Sequence, residues 1–141
     1  MKIIKNPSPN FENRPPSVSV NLLLFHYTGM KSASEAMARL CSPKSKVSAH
    51  YLIDEVGNIF SLVEENKRAW HAGIASWNDD VDINNISVGI EIANPGHEFG
   101  YSRYPERQMI AVEALSIDIM KRHSIRAARV LGHSDVSPSR K

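Results

Sequence analysis

The stretch Val20-Asn-Leu-Leu-Leu-Phe-His-Tyr27 is a nearly continuous apolar run, bounded by Thr28-Gly29. An apolar run of this length without alternation suits a strand buried on both faces. Such a strand asks for a sheet with helices packed on it, and the rest of the chain supplies candidates. Residues 32–41 read as a short helix. Ala33, Ala36, Met37 and Leu40 fall at helical spacing, Ser32 or Ser34 can cap the first turn, and Pro43 stops it. His50–Asp54 and Asn58–Val63 flank Glu55-Val56-Gly57 and read as a hairpin that turns at Gly57. Ile86–Ile92 alternates, with Ile86, Val88, Ile90 and Ile92 on one face. Residues 94–104, with Pro95, Gly96 and Gly100, read as a loop. Pro105 opens a long helix to about His123, striped by Met109, Val112, Leu115 and Ile119. Ala128–Gly132 is a last short strand.

The order strand, helix, hairpin, strand, helix, strand predicts an α/β domain with a mixed central β-sheet flanked by helices. It does not specify strand order. Residues 1–19 carry Pro7, Pro9, Pro15 and Pro16 and read as an extended arm lying on the domain. The 141 residues suit a single domain, 1–141.

Composition excludes some partners. A net charge of +2 is too mild for a nucleic-acid-binding face. The last fifth of the chain is more basic (Lys121, Arg122, Arg126, Arg129, Arg140, Lys141), which fits a solvated helix end and tail or contacts to an anionic substrate. No window approaches the roughly 20 apolar residues of a membrane span. Met1–Pro9 lacks the apolar stretch of a signal peptide, so the expected location is the cytoplasm, with the periplasm as the alternative. Cys41 is the only cysteine and cannot form an internal disulfide. The pattern specifies no oligomeric state.

Of six histidines, two stand where a buried strand opens into a loop: His26 at the end of the first strand and His133 after Arg129-Val-Leu-Gly132. Sites in open α/β sheets collect at the carboxyl ends of strands. Two imidazoles from separate strand ends can share a zinc ion, and they fit equally well as half-buried structural histidines. Glu91 is an oddity, a carboxylate between Ile90 and Ile92. By alternation it shares a face with Ser87, Gly89 and Ala93, all small, which leaves room for something to approach. A buried carboxylate of this kind is a general acid/base candidate beside a metal-bound water; an outward-facing surface glutamate fits the pattern too. Trp70-His71-Ala72-Gly73 reads as a loop that either walls a ligand site or tucks Trp70 under itself. His50 reads as structural or as support for a ligand. His97 in a Gly/Pro loop and His123 at a helix C-terminus are not ligand candidates.

Five segments together carry a resemblance: Phe25-His26-Tyr27-Thr28, Val47–Ile53, Arg68–Gly73, Ser87–Glu91 and Gly132–Lys141. In this order they resemble the type-2 N-acetylmuramoyl-L-alanine amidases, zinc enzymes related to the peptidoglycan recognition proteins. The opening Asn6–Pro15 looks like the arm of the AmpD/AmiD branch. The resemblance implies a peptidoglycan-recognition-protein-like domain and cleavage of the amide between N-acetylmuramic acid and L-alanine in peptidoglycan fragments, here the anhydro-muropeptides of cell-wall recycling. It implies Zn2+ as the cofactor and a muropeptide as the substrate partner. His26 and His133 match two of the family's three zinc ligands, Glu91 its catalytic glutamate, and Lys141 its lysine near the reacting carbonyl. Tyr27, Trp70 and His71 are the candidate substrate contacts. The family's third ligand, an aspartate, falls ten positions after the second histidine, two residues past Lys141. Asp135 matches a different aspartate. The resemblance therefore leaves a shortened form or a two-histidine site as alternatives. A non-catalytic peptidoglycan-binding module is the competing reading, although a pure binder has no need of Glu91. Hydrolysis of some other amide is a third.

Overall fold

The computed structural model describes residues 1–95 and 103–137. Ten strands and three α-helices follow in order: β1 (Ile3–Lys5), β2 (Phe11–Asn13), β3 (Leu22–Tyr27), α1 (Ala33–Leu40), β4 (Tyr51–Ile53), β5 (Ile59–Ser61), β6 (Lys67–Ala69), β7 (Ser76–Trp77), β8 (Asp80–Val81), β9 (Ser87–Ile92), α2 (Glu106–His123), β10 (Val130–Gly132) and α3 (His133–Val136). Six of them form the central sheet, in the order β1-β5-β4-β9-β3-β10. The sheet is mixed. β4 and β5 form the antiparallel hairpin expected around Gly57, and β4, β9, β3 and β10 run parallel. Three adjacent parallel strands, β9, β3 and β10, therefore end at the same edge.

β3 lies inside this sheet, which explains its unbroken apolar run: Leu22, Leu23 and Leu24 are all 0% exposed. Each such leucine contributes about 1.5–3 kcal/mol of burial. One face packs against α2, where Leu23, Val88, Ile90 and Ile92 meet Ala111, Leu115 and Ile119. Gln108, buried on α2, donates from Nε2 to the Ile53 and Ala93 carbonyls at the ends of β4 and β9. The opposite face carries Leu22 and Leu24 with Ala72, Ile83 and Leu131, and Leu52 against Ala36 and Leu40 of α1. The Ser32 hydroxyl caps α1 by accepting from the Glu35 N–H at 3.1 Å.

The arm is more regular than its proline content suggests. β1 adds in parallel to β5, and β2 pairs antiparallel with β6. Arg14 pins it down, donating to the carbonyls of Glu65, Asn84, Asn85 and Ser87 at 2.8–3.1 Å. Burial, then the nearby Arg68 charge, lowers its pKa to about 10. The last strand starts at Val130 rather than Ala128, because residues 127–129 form a 3-10 turn. In the expected loop at 94–104, residues 96–102, including His97, lie outside the described residues. Among the described residues no helix is long and apolar enough to cross a membrane.

Candidate functional site

Parallel register places His26 of β3 directly beside Glu91 of β9. His133 begins α3, one residue after β10 ends. All three therefore sit at the carboxyl edge of the parallel strands, on the face away from α2. They line one pocket of about 240 Å³ together with Tyr27, Trp70 and His71. The structure thus brings together every candidate residue named from the sequence except Lys141, which lies outside the described residues.

His26 is 4% exposed, and its Nδ1 stands 3.1 Å from His133 Nδ1. Two imidazoles on one tetrahedral zinc, each at 2.0–2.1 Å, put their nitrogens roughly 3.3 Å apart. The observed spacing fits that geometry, and so does the chemistry of the pair. His133 Nε2 lies 2.8 Å from the Ala72 carbonyl, which can only accept, so that nitrogen carries a proton and the neutral ring keeps its lone pair on Nδ1. Among the described residues no group of three His, Cys, Asp or Glu side chains forms a ligand set. Asp135 Oδ2 accepts from the Gly132 N–H at 2.9 Å, which closes the turn into α3.

Glu91 lines this pocket with its Oε2 atom buried. The small face read from Ser87 and Gly89 is filled by the imidazole of His71. A Cβ added at Gly89 would meet His71 Cγ and Nδ1 at 2.5 Å. His71 Nδ1 lies 2.9 Å from His26 Nε2, and His71 Nε2 lies 3.1 Å from Ser87 Oγ. Burial first, then the charges of His26, His50, Arg14 and His133, hold the His71 pKa well below the ordinary histidine value. Trp70 is half-buried, and its Nε1 donates to Glu12 Oε2 of β2 at 2.9 Å.

Two residues escaped the sequence reading. Asn84 Oδ1 accepts from the N–H groups of both His71 and Ala72, at 3.1 and 2.9 Å, and so fixes the loop against the site. An Asn-Asn pair after an apolar residue reads as turn chemistry and carries no signal for this role. Glu65, in an acidic loop, gathers Tyr51, Arg122 and His123. Burial raises its pKa, but hydrogen bonds from Arg122, Tyr51 and His123 outweigh that and bring it to about 2. His50 is fully buried, as expected of a structural residue. Its Nδ1 accepts from the Gly89 N–H, and its Nε2 donates to the Lys67 carbonyl.

The family model described as N-acetylmuramoyl-L-alanine amidase matches residues 15–141. The chain is 32% identical over 134 residues to N-acetylmuramoyl-L-alanine amidase AmiD of Escherichia coli, covering 86% of this chain and 48% of that protein. It is 30% identical over 152 residues to 1,6-anhydro-N-acetylmuramyl-L-alanine amidase AmpD of Haemophilus influenzae, covering 95% of this chain and 80% of that one. The structure of the Escherichia coli AmiD complex with anhydro-N-acetylmuramic acid-L-Ala-D-gamma-Glu-L-Lys superposes with a TM-score of 0.79 at 30% identity. That match covers 92% of this chain and 55% of that one.

Proposed function

The chain belongs to the N-acetylmuramoyl-L-alanine amidase family, and on that premise we propose that it hydrolyses the amide between N-acetylmuramic acid and L-alanine in anhydro-muropeptides, with a zinc ion held by His26 and His133. The observation that carries the reading is the convergence of those two Nδ1 atoms, 3.1 Å apart, beside a partly buried Glu91 in register with His26. The substrate class is supported by the names of the AmiD and AmpD relatives and by the muropeptide bound in the AmiD complex.

Bound at His26 and His133, zinc supplies a Lewis acid for the amide carbonyl and for water. The protein's own residues do the rest. The Glu91 carboxylate accepts a proton from the attacking water and delivers it to the leaving amine as the carbon–nitrogen bond breaks. The products are the muramic acid carboxylate and a peptide with a free L-alanine amine. Lys141 stabilises the negative charge that develops on the carbonyl oxygen. Tyr27 and Trp70 border the pocket and contact the sugar or the peptide stem.

The test is incubation of zinc-loaded protein with an anhydro-N-acetylmuramyl tripeptide, followed by mass spectrometry. The reading predicts free tripeptide and anhydro-N-acetylmuramic acid, and none of either after chelation. Intact substrate that stays bound to zinc-loaded protein would identify a binding module instead.

A further inference from the structure

The geometry points to His71 as a positioning residue: with its ring held by Ser87 and its backbone N–H by Asn84, its imidazole holds His26 in the Nε2–H tautomer and turns the His26 Nδ1 lone pair toward His133. The consequence for metal binding rests on the zinc reading above; the proton wiring does not.

The wiring follows from one group that can only accept. Ser87 Oγ lies 2.7 Å from the Ile83 carbonyl and must donate its single proton there. The 3.1 Å contact between Ser87 Oγ and His71 Nε2 is then a bond in which His71 Nε2–H donates. A neutral imidazole with its proton on Nε2 has an accepting Nδ1. The 2.9 Å contact to His26 is therefore His26 Nε2–H donating to His71 Nδ1. In a neutral His26 ring that leaves the lone pair on Nδ1, the atom 3.1 Å from His133 Nδ1. The Ala72 carbonyl sets the same tautomer on His133 from the other side. Both relays pass through consecutive residues of one loop, and a single acceptor, Asn84 Oδ1, takes both of their N–H groups. Two lone pairs this close repel each other unless a cation lies between them, so the loop prepares the pair for a metal.

His71 is not placed as a third ligand. Its Nδ1 faces His26 Nε2, the ring nitrogen turned away from His133. Both of its ring nitrogens are engaged, by His26 and by Ser87, so any contact it makes with substrate is through its ring carbons or backbone. Outer partners of ligating histidines typically change metal affinity by about 10–100-fold.

Three proteins test this: wild type, His71→Leu and His71→Asn. The asparagine side-chain oxygen can take the place of Nδ1 and accept from His26 Nε2–H, whereas leucine cannot. Long-range proton–nitrogen spectra of metal-free, 15N-labelled wild type should show His26 protonated at Nε2 and bare at Nδ1. This readout needs no variant to fold. Zinc affinity, measured by competition with a chromophoric chelator, should fall about 10–100-fold in His71→Leu. His71→Asn should recover most of that loss. A His26 proton on Nδ1 in wild type overturns the wiring. Equal weakening in the two variants overturns the positioning role. If wild type takes up no zinc while His26 shows the Nε2–H tautomer, the zinc reading falls and the wiring stands.

Discussion

Replacing Gly89 with alanine should distinguish a strand glycine that makes room for His71 from an ordinary buried one. Gly89 has no positive φ, so its backbone accepts alanine without strain. On strand propensity alone the change should stabilise the protein by about 0.5–1 kcal/mol. The added Cβ, however, would sit 2.5 Å from His71 Cγ and Nδ1 and 2.7 Å from Cδ2. Carbon atoms in contact stand about 3.5–4.0 Å apart, so the ring must withdraw by roughly 1 Å. A retreat of that size breaks the bonds to His26 and Ser87, which now measure 2.9 and 3.1 Å. Overpacking costs about 1–3 kcal/mol and each lost hydrogen bond about 1 kcal/mol, so Gly89→Ala should be destabilised by about 2–4 kcal/mol after the propensity gain is subtracted. Denaturant unfolding reads the stability and a chelator competition reads the zinc affinity, which should fall about 10–100-fold. Adding His71→Ala makes room for the new methyl group. The double variant should therefore be more stable than the sum of the single effects implies, while its zinc affinity stays low. A Gly89→Ala protein that is as stable as wild type, or more so, and binds zinc normally would mean that Gly89 is an ordinary buried strand glycine.

Glu91→Gln keeps the shape of the side chain and removes the base; turnover of an anhydro-muropeptide should fall at least about 100-fold with zinc content unchanged, as measured by product release and metal analysis. Asn84→Ala leaves the His71 and Ala72 N–H groups without their shared acceptor, a cost of about 1–3 kcal/mol for each one left unsatisfied, which unfolding curves would register together with weaker zinc binding. Burial first, then the Arg14 and His123 charges, lower the His50 pKa to about 4 against the raising effect of its bond to the Lys67 carbonyl. The unfolded chain therefore takes up this proton near pH 6.5 and the folded chain only near 4, so stability falls as pH drops from 6.5 to 4, by about 3 kcal/mol. His50→Asn, which keeps an acceptor for the Gly89 N–H, should lose that pH dependence in denaturant unfolding at about pH 7 and about pH 4. Glu65 works in a lower window. Its folded pKa of about 2 lies below the ordinary glutamate value of 4.5, so its contribution is present above pH 4.5 and is lost as pH falls toward 2; Glu65→Gln should flatten thermal stability over that range.

The sequence made some of this legible because the physical signals were local. β3 announced itself through an unbroken apolar run, since a strand covered on both faces has no polar alternation to show. β9 alternated cleanly and placed Glu91 on the face away from α2. The strand order, and hence the meeting of His26, Glu91 and His133 at one edge, depends on pairings between residues as much as 107 positions apart, which no local pattern encodes. β1, β2 and β6 were missed because three-residue strands borrow their stability from partners rather than from their own propensity. The small residues at 87 and 89 did signal a close approach, but nothing near them named His71 as the group that approaches. Arg14, set in a proline-rich arm, gave no sign that it would reach four backbone carbonyls.

Anomalous diffraction at the zinc edge from crystals of the zinc-loaded protein would locate the metal directly. A zinc site built on the two histidines predicts one strong peak bonded to Nδ1 of both His26 and His133, at about 2.0–2.1 Å from each, with the Nε2–H of His26 still donating to His71. A zinc bound through either Nε2, or a peak away from these two histidines, would contradict it.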